Sequence, residues 1–238
     1  MDRYSDAALP RSGLNAHSRM ATTFLVTVYM WMFVGLSLTA VVAWMVAGSE
    51  SLVLSILGNR AILYGLFIAE ILLVVGLTAA INRISAMTAM GLFLLYSALN
   101  GATMSVVFVV FTGESVLMAF LSAACLFGTM SLYGYITKRD LTAWGNLLMV
   151  GLIAVVLCSV INLFLGSSRF DFVISVVGVV VFLGLTAYDT QKILSRGAGL
   201  ASVATEAARK AAILGALALY LDFVNLFLYM LRFMGKRK

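Results

Sequence analysis

Between Arg19 and Glu50 the chain carries 30 consecutive residues without a formal charge. The pattern then recurs. Arg83 to Glu114 encloses another 30 uncharged residues, Glu114 to Lys138 encloses 23, and Asp140 to Arg169 encloses 28. A helix rising 1.5 Å per residue needs about 20 such residues to cross a hydrocarbon core of about 30 Å. The runs are continuous, whereas strands of a membrane barrel alternate apolar and polar positions over about ten residues. Composition agrees: 63% of the 238 residues are hydrophobic and 11% are charged, against about 25% charged in soluble domains. The expected fold class is an all-α membrane protein, a seven-transmembrane helix bundle.

The scarce residues exclude several chemistries. The one histidine, His17, lies in a polar stretch. That removes histidine zinc sites, Ser-His-Asp triads and Cys-His dyads. Cys125 and Cys158 fall inside apolar runs and read as small packing residues. No phosphate-binding or dinucleotide motif occurs. The only proline, Pro10, precedes the first span. The formal net charge of +6 reads as basic membrane-flanking loops rather than as a nucleic-acid surface. No enzyme activity, cofactor or nucleic-acid partner is expected; membrane lipids are.

The chain divides into a cytoplasmic polar tail (1–20), one seven-helix transmembrane domain (21–235) and a basic end (236–238). The first span is too long for a signal-peptide core and lacks a small-residue cleavage site, so no cleavage is expected. Apolar segments fall at about 21–48, 61–81, 86–111, 115–136, 143–165, 172–192 and 209–233. A polar loop is expected over about 194–208. With the N-terminus inside, the tail and even loops hold Arg3, Arg11, Arg19, Arg83, Lys138, Arg139, Lys192, Arg196, Arg209 and Lys210, while the first, third and fifth loops hold only Arg60 and Arg169. This places the N-terminus in the cytoplasm. Seven full spans would then put Arg232, Lys236, Arg237 and Lys238 outside; a re-entrant seventh segment would keep them inside. Small residues at Ser97 to Ala102 and from Gly145 to Gly151 indicate close helix packing. Tyr29, Trp31, Trp44 and Trp144 read as interfacial anchors or packing residues.

Charge within hydrocarbon is costly, so acids inside spans carry the most information. Three qualify: Glu70, Asp189 and Asp222. Lys192 is one turn beyond Asp189 and can pair with it or snorkel to the interface. Asn225 shares the helical face of Asp222. By these segment limits, Asp189 lies about three residues from its span's end. Asp222 lies about 13 residues into the next, roughly 20 Å along the axis. Contact requires the last helix to start later or to dip. If the two carboxyls meet in a low-dielectric site, they cannot both ionise cheaply, and they share a proton as a coupled pair. Such a pair joins two helices when protonated, and repels or admits a cation when ionised. Otherwise each acid is satisfied separately by Lys192, Asn225, a serine or water. Glu70 has no partner on its own helix. Arg83 is 13 residues on, about 20 Å away along the axis. Glu70 is therefore either a pore-lining group or a structural hydrogen-bonding one.

Three stretches carry a resemblance. Met130-Ser131-Leu132-Tyr133-Gly134-Tyr135 with Thr137-Lys138-Arg139-Asp140-Leu141, then Gly184 to Lys192, and then Leu219-Tyr220-Leu221-Asp222-Phe223-Val224-Asn225-Leu226-Phe227 resemble successive span signatures of the bacterial Bax inhibitor-1 family, in its Gram-negative inner-membrane branch. The resemblance implies seven helices with the last one central. It implies that Asp189 and Asp222 form a hydrogen-bonded pH sensor. It also implies a slow calcium leak in which Ca²⁺ is the transported ion and protons are the signal. Glu70 matches an acid of the family's second span; the family's basic partner falls at Ile81 or shifts to Arg83. Other relatives restrain a membrane-bound protease, which keeps a non-conducting regulator of membrane-protein partners as the alternative. Calcium prefers six to eight oxygen ligands. Asp189 and Asp222, with Asn225 and water, would make a weak site suited to passage. An intramembrane aspartyl protease is disfavoured because no glycine motif precedes Asp222. A retinal protein is disfavoured because the last span's only lysine, Lys210, lies at its edge.

Overall fold

The computed structural model describes residues 11–236 and 238, excluding the side chains of residues 11–17 and of Leu57. The expectations for residues 1–10, for the His17 side chain and for Arg237 fall outside the described residues. Among the described residues eight helices follow in order: α1 (Arg11–Ala47), α2 (Glu50–Leu57), α3 (Arg60–Ala80), α4 (Ala86–Val110), α5 (Gly113–Ile136), α6 (Thr142–Leu165), α7 (Ser168–Ala198) and α8 (Glu206–Met234). All but α2 are long and apolar enough to cross a membrane.

Three boundaries differ from the expected ones. The polar stretch assigned to a tail is helical from Arg11, continuous with the first span. The first loop contains a further short helix, α2, with Glu50 in its first turn. The expected loop over 194–208 contracts to residues 199–205, because α7 continues to Ala198 and α8 begins at Glu206. Local caps account for these starts and stops. Side-chain oxygens of Ser85, Thr112, Ser167 and Thr205 each accept the backbone N–H three residues on, satisfying a donor that the first turn leaves free. Helix α6 ends at Gly166, whose φ of 61° is left-handed and suits glycine.

Helix α8 lies at the centre, packed against α1, α4, α5 and α7. Leu219, Tyr220, Asp222, Phe223 and Val224 are all buried. Burial at nearly consecutive positions means that no side of this helix is left to lipid. Helix α6 is the opposite case. Its buried residues are Gly145 and Val155, and its apolar surface otherwise faces outward. Small residues set the close contacts, as expected: a Cβ at Gly101 would meet the Thr39 backbone, and one at Gly134 the Ala187 backbone. Trp44 and Trp144 are 72% and 60% exposed at helix ends. Tyr29 and Trp31 pack against the core instead.

The re-entrant alternative for the last segment does not hold. Helix α8 is unbroken. Its first turn meets the start of α4, where Glu206 accepts the Ala86 N–H. Its far end meets the α4–α5 turn, where the Lys236 carbonyl accepts from the Thr112 N–H at 3.1 Å and the Val110 carbonyl from the Lys238 N–H at 2.9 Å. The helix therefore runs between opposite faces of the bundle. On its far face, Arg232 pairs with Asp171 at 3.7 Å.

Candidate functional site: buried acids around the central helix

Asp222 sits midway along α8 and is 5% exposed. Its Oδ2 is buried and has no hydrogen-bond partner. The charged group acting on it is the Asp189 carboxyl of α7. The structure thus brings the two aspartates within electrostatic reach, although no hydrogen bond joins them among the described residues. The apparent depth mismatch shrinks for a simple reason. Asp189 lies nine residues from the end of α7 (189 to 198), because that helix continues past the expected span. Asp189 is half-buried. Next to it, Thr190 is fully buried, with its hydroxyl 3.1 Å from the Tyr29 hydroxyl of α1.

Lys192 and Arg196, one and two turns beyond Asp189, both act on it electrostatically. Neither forms an ion pair within 4 Å among the described residues; Lys192 Nζ lies 5.1 Å from the centre of the Tyr188 ring. Asn225 does not serve Asp222. Its side-chain N–H donates to the Leu221 carbonyl of its own helix at 2.8 Å, and it lines a different cavity.

That cavity, of about 370 Å³ between α3, α4 and α8, is where Glu70 sits. Glu70 is buried. Its Oε1 accepts from the Thr103 hydroxyl, and its Oε2 accepts from the Asn100 amide at 3.4 Å. Asn100 Oδ1 in turn accepts from the Tyr220 hydroxyl at 3.1 Å, and that hydroxyl lies 2.6 Å from Thr39 Oγ1. One polar network therefore ties α3, α4, α8 and α1 together. Arg83 takes no part: it is exposed in the α3–α4 turn and forms no ion pair with Glu70 among the described residues. The turn ends α3 before Arg83 can lie along the helix toward Glu70.

Sequence reasoning missed Tyr220, Asn100, Thr103 and Thr39. A usable signal was present. Ser97, Asn100 and Thr103 recur every third residue along one side of an otherwise apolar helix, the spacing that presents polar groups to one neighbour.

Chemically, the site offers carboxylates that can take up protons or touch a passing cation. No cluster of three or more His, Cys, Asp or Glu able to hold a metal occurs among the described residues.

Residues 21–238 match the family described as "Inhibitor of apoptosis-promoting Bax1". The chain is 47% identical over 241 residues to the inner membrane protein YbhL of Escherichia coli (strain K12), with all of both chains covered. It is 41% identical over 215 residues to an uncharacterized protein of Borreliella burgdorferi, covering 90% of this chain and 92% of that one. An uncharacterized membrane protein of Streptococcus pyogenes serotype M1 is 37% identical over 215 residues, with the same coverage. With a family match across seven membrane-length helices and a full-length relative from an inner membrane, the chain belongs to the Bax inhibitor-1 family of membrane proteins.

Proposed function

We propose that this protein is a pH-sensitive leak pathway for cations, calcium among them, in the bacterial inner membrane, with its N-terminus in the cytoplasm. Asp189 and Asp222 are its gate. The observation that carries the reading is Asp222: a carboxylate buried on the central helix, with one oxygen unpartnered and a second carboxyl acting on it. Two acids in a low-dielectric interior share a proton and titrate together. Holding that proton, the pair lets α7 and α8 pack. Losing it, the pair separates the helices or takes a cation. Calcium is cargo in this scheme, met by too few oxygens to be stored. The chain has no enzymatic role in it. Glu70, hydrogen-bonded to α4, is a supporting group whose network holds α8 in place, with Asn225 across the same cavity. Lys192 sets the field at Asp189.

A second reading, a non-conducting regulator of other membrane proteins, draws on α6, whose large apolar side chains are largely uncovered. Purified protein in liposomes separates the two readings. Calcium entry above that of empty liposomes supports the leak. Entry equal to that of empty liposomes removes it and leaves the regulator.

A further inference from the structure

At the end of the bundle where α6 begins and α7 ends lies a cavity of about 310 Å³, with Asp140, Gln191, Lys192, Ser195 and Arg196 in its walls. Those walls are held in place. Gln191 bridges to the α5–α6 link through both ends of its amide: Oε1 accepts the Leu141 N–H at 2.9 Å, and Nε2 donates to the Arg139 carbonyl at 2.8 Å. Ser195 donates to the Gln191 carbonyl at 2.8 Å. The charged donors left for a ligand are therefore Lys192 and Arg196, beside the hydroxyl-bearing Tyr188 and Thr142. Both cations are exposed, one turn apart on α7, and without an ion pair among the described residues. The one carboxylate on the rim, Asp140, is occupied with the Thr142 N–H at 2.9 Å. Two cations against that one carboxylate leave the cavity with a net positive charge, and Lys138 and Arg139 in the adjoining link add to it.

Its position says what it would take. It lies where one helix long enough to cross a membrane begins and another ends, and in a bilayer the ends of such helices fall at the headgroup level. Trp144 follows two residues after Thr142 and is 60% exposed, as tryptophans at the headgroup level are. Beyond it α6 presents Leu147, Val150 and Ile153 outward, a surface for acyl chains. Basic pockets between transmembrane helices at this depth recognise anionic headgroups.

We infer that the Lys192–Arg196 cavity is a binding site for the phosphate of an anionic phospholipid whose chains lie against the outer surface of α6. The inference is independent of whether the protein conducts calcium.

Native mass spectrometry of the full chain, released from micelles holding equal phosphatidylglycerol and phosphatidylcholine, tests it. The expected result is preferential retention of phosphatidylglycerol, at about fivefold per basic contact. The preference should vanish in the Lys192→Gln, Arg196→Gln double variant and persist in Lys192→Arg. Both positions are exposed, so the double variant keeps its fold, which circular dichroism checks. Quenching of Trp144 by bromine-labelled lipids, in protein with Trp31→Phe and Trp44→Phe, gives the location: brominated phosphatidylglycerol should quench more strongly than brominated phosphatidylcholine. Equal retention of both lipids, a preference that survives the double variant, equal quenching, or displacement of the lipid by millimolar inorganic phosphate would each overturn the assignment; the last would make this a site for the free anion.

Discussion

Asp222 of α8 has the carboxyl of Asp189, on α7, as the charged group that acts on it, and one of its own oxygens has no hydrogen-bond partner. Asparagine occupies nearly the same volume, carries no charge and adds an N–H₂ that Asp189 can accept from. Leaving a buried polar atom unpaired costs about 1–3 kcal/mol. Asp222→Asn is therefore expected to raise stability by about 1 kcal/mol, the low end of that range. Thermal unfolding in detergent at neutral pH checks this, and a clear loss of stability would count against the arrangement.

The Tyr220 hydroxyl is the link between Thr39 on α1 and Asn100 on α4. Tyr220→Phe keeps the ring and its edge-on contacts with Phe93 and Tyr96 but removes the donor to Asn100. With Asn100 Oδ1 buried and unpaired, the loss should be about 1–3 kcal/mol. Chemical unfolding of the variant beside the parent measures it; a neutral result would mean that the network contributes little to holding α8.

Two glycines on α5 make opposite predictions. A methyl group at Gly134 would run into the Ala187 carbonyl of α7, whereas one at Gly128 meets nothing within 4 Å. Overpacking against backbone costs about 1–3 kcal/mol. Gly134→Ala should lose that much and displace the stretch of α7 from Ala187 to Asp189, whereas Gly128→Ala should match or slightly exceed the parent, since alanine favours the helix. Unfolding midpoints of the two alanine variants, measured side by side, check the contrast.

Asp140 gives a prediction about pH. It is fully exposed in the α5–α6 link, and the Thr142 side chain and backbone N–H hold its carboxyl below the ordinary carboxylate value. A depressed folded value means that its contribution is complete above the unfolded value and is lost only as pH falls through the folded one. Asp140 therefore stays ionised across about pH 5 to 8. Asp140→Asn should leave the pH midpoint of any calcium flux where it is in the parent. A shifted midpoint would place part of the sensor in this link rather than at Asp189 and Asp222.

The helices were legible in the sequence because uncharged runs of membrane length are a strong, one-dimensional signal. The extra turns of α7 were not, since Lys192, Ser195, Arg196 and Gly197 read locally as a polar loop; the helix continues because Gly197 packs closely on Ala21 and Phe24 of α1. That continuation decides how deep Asp189 lies, so the approach of the two aspartates stayed open until the fold was known. The three buried or half-buried acids could be picked out by the cost of charge in hydrocarbon. Their partners could not, because Asn100, Thr103 and Tyr220 are ordinary polar residues until three helices bring them to one point.

Calcium entry into liposomes holding the purified protein, followed from about pH 5 to 8 for the parent, Asp189→Asn and Asp222→Asn, is the decisive test of the aspartate gate. The expected flux changes with pH in the parent and loses that dependence in either variant. A parent flux that is independent of pH, or a pH dependence that both variants retain, would rule out a gate at Asp189 and Asp222.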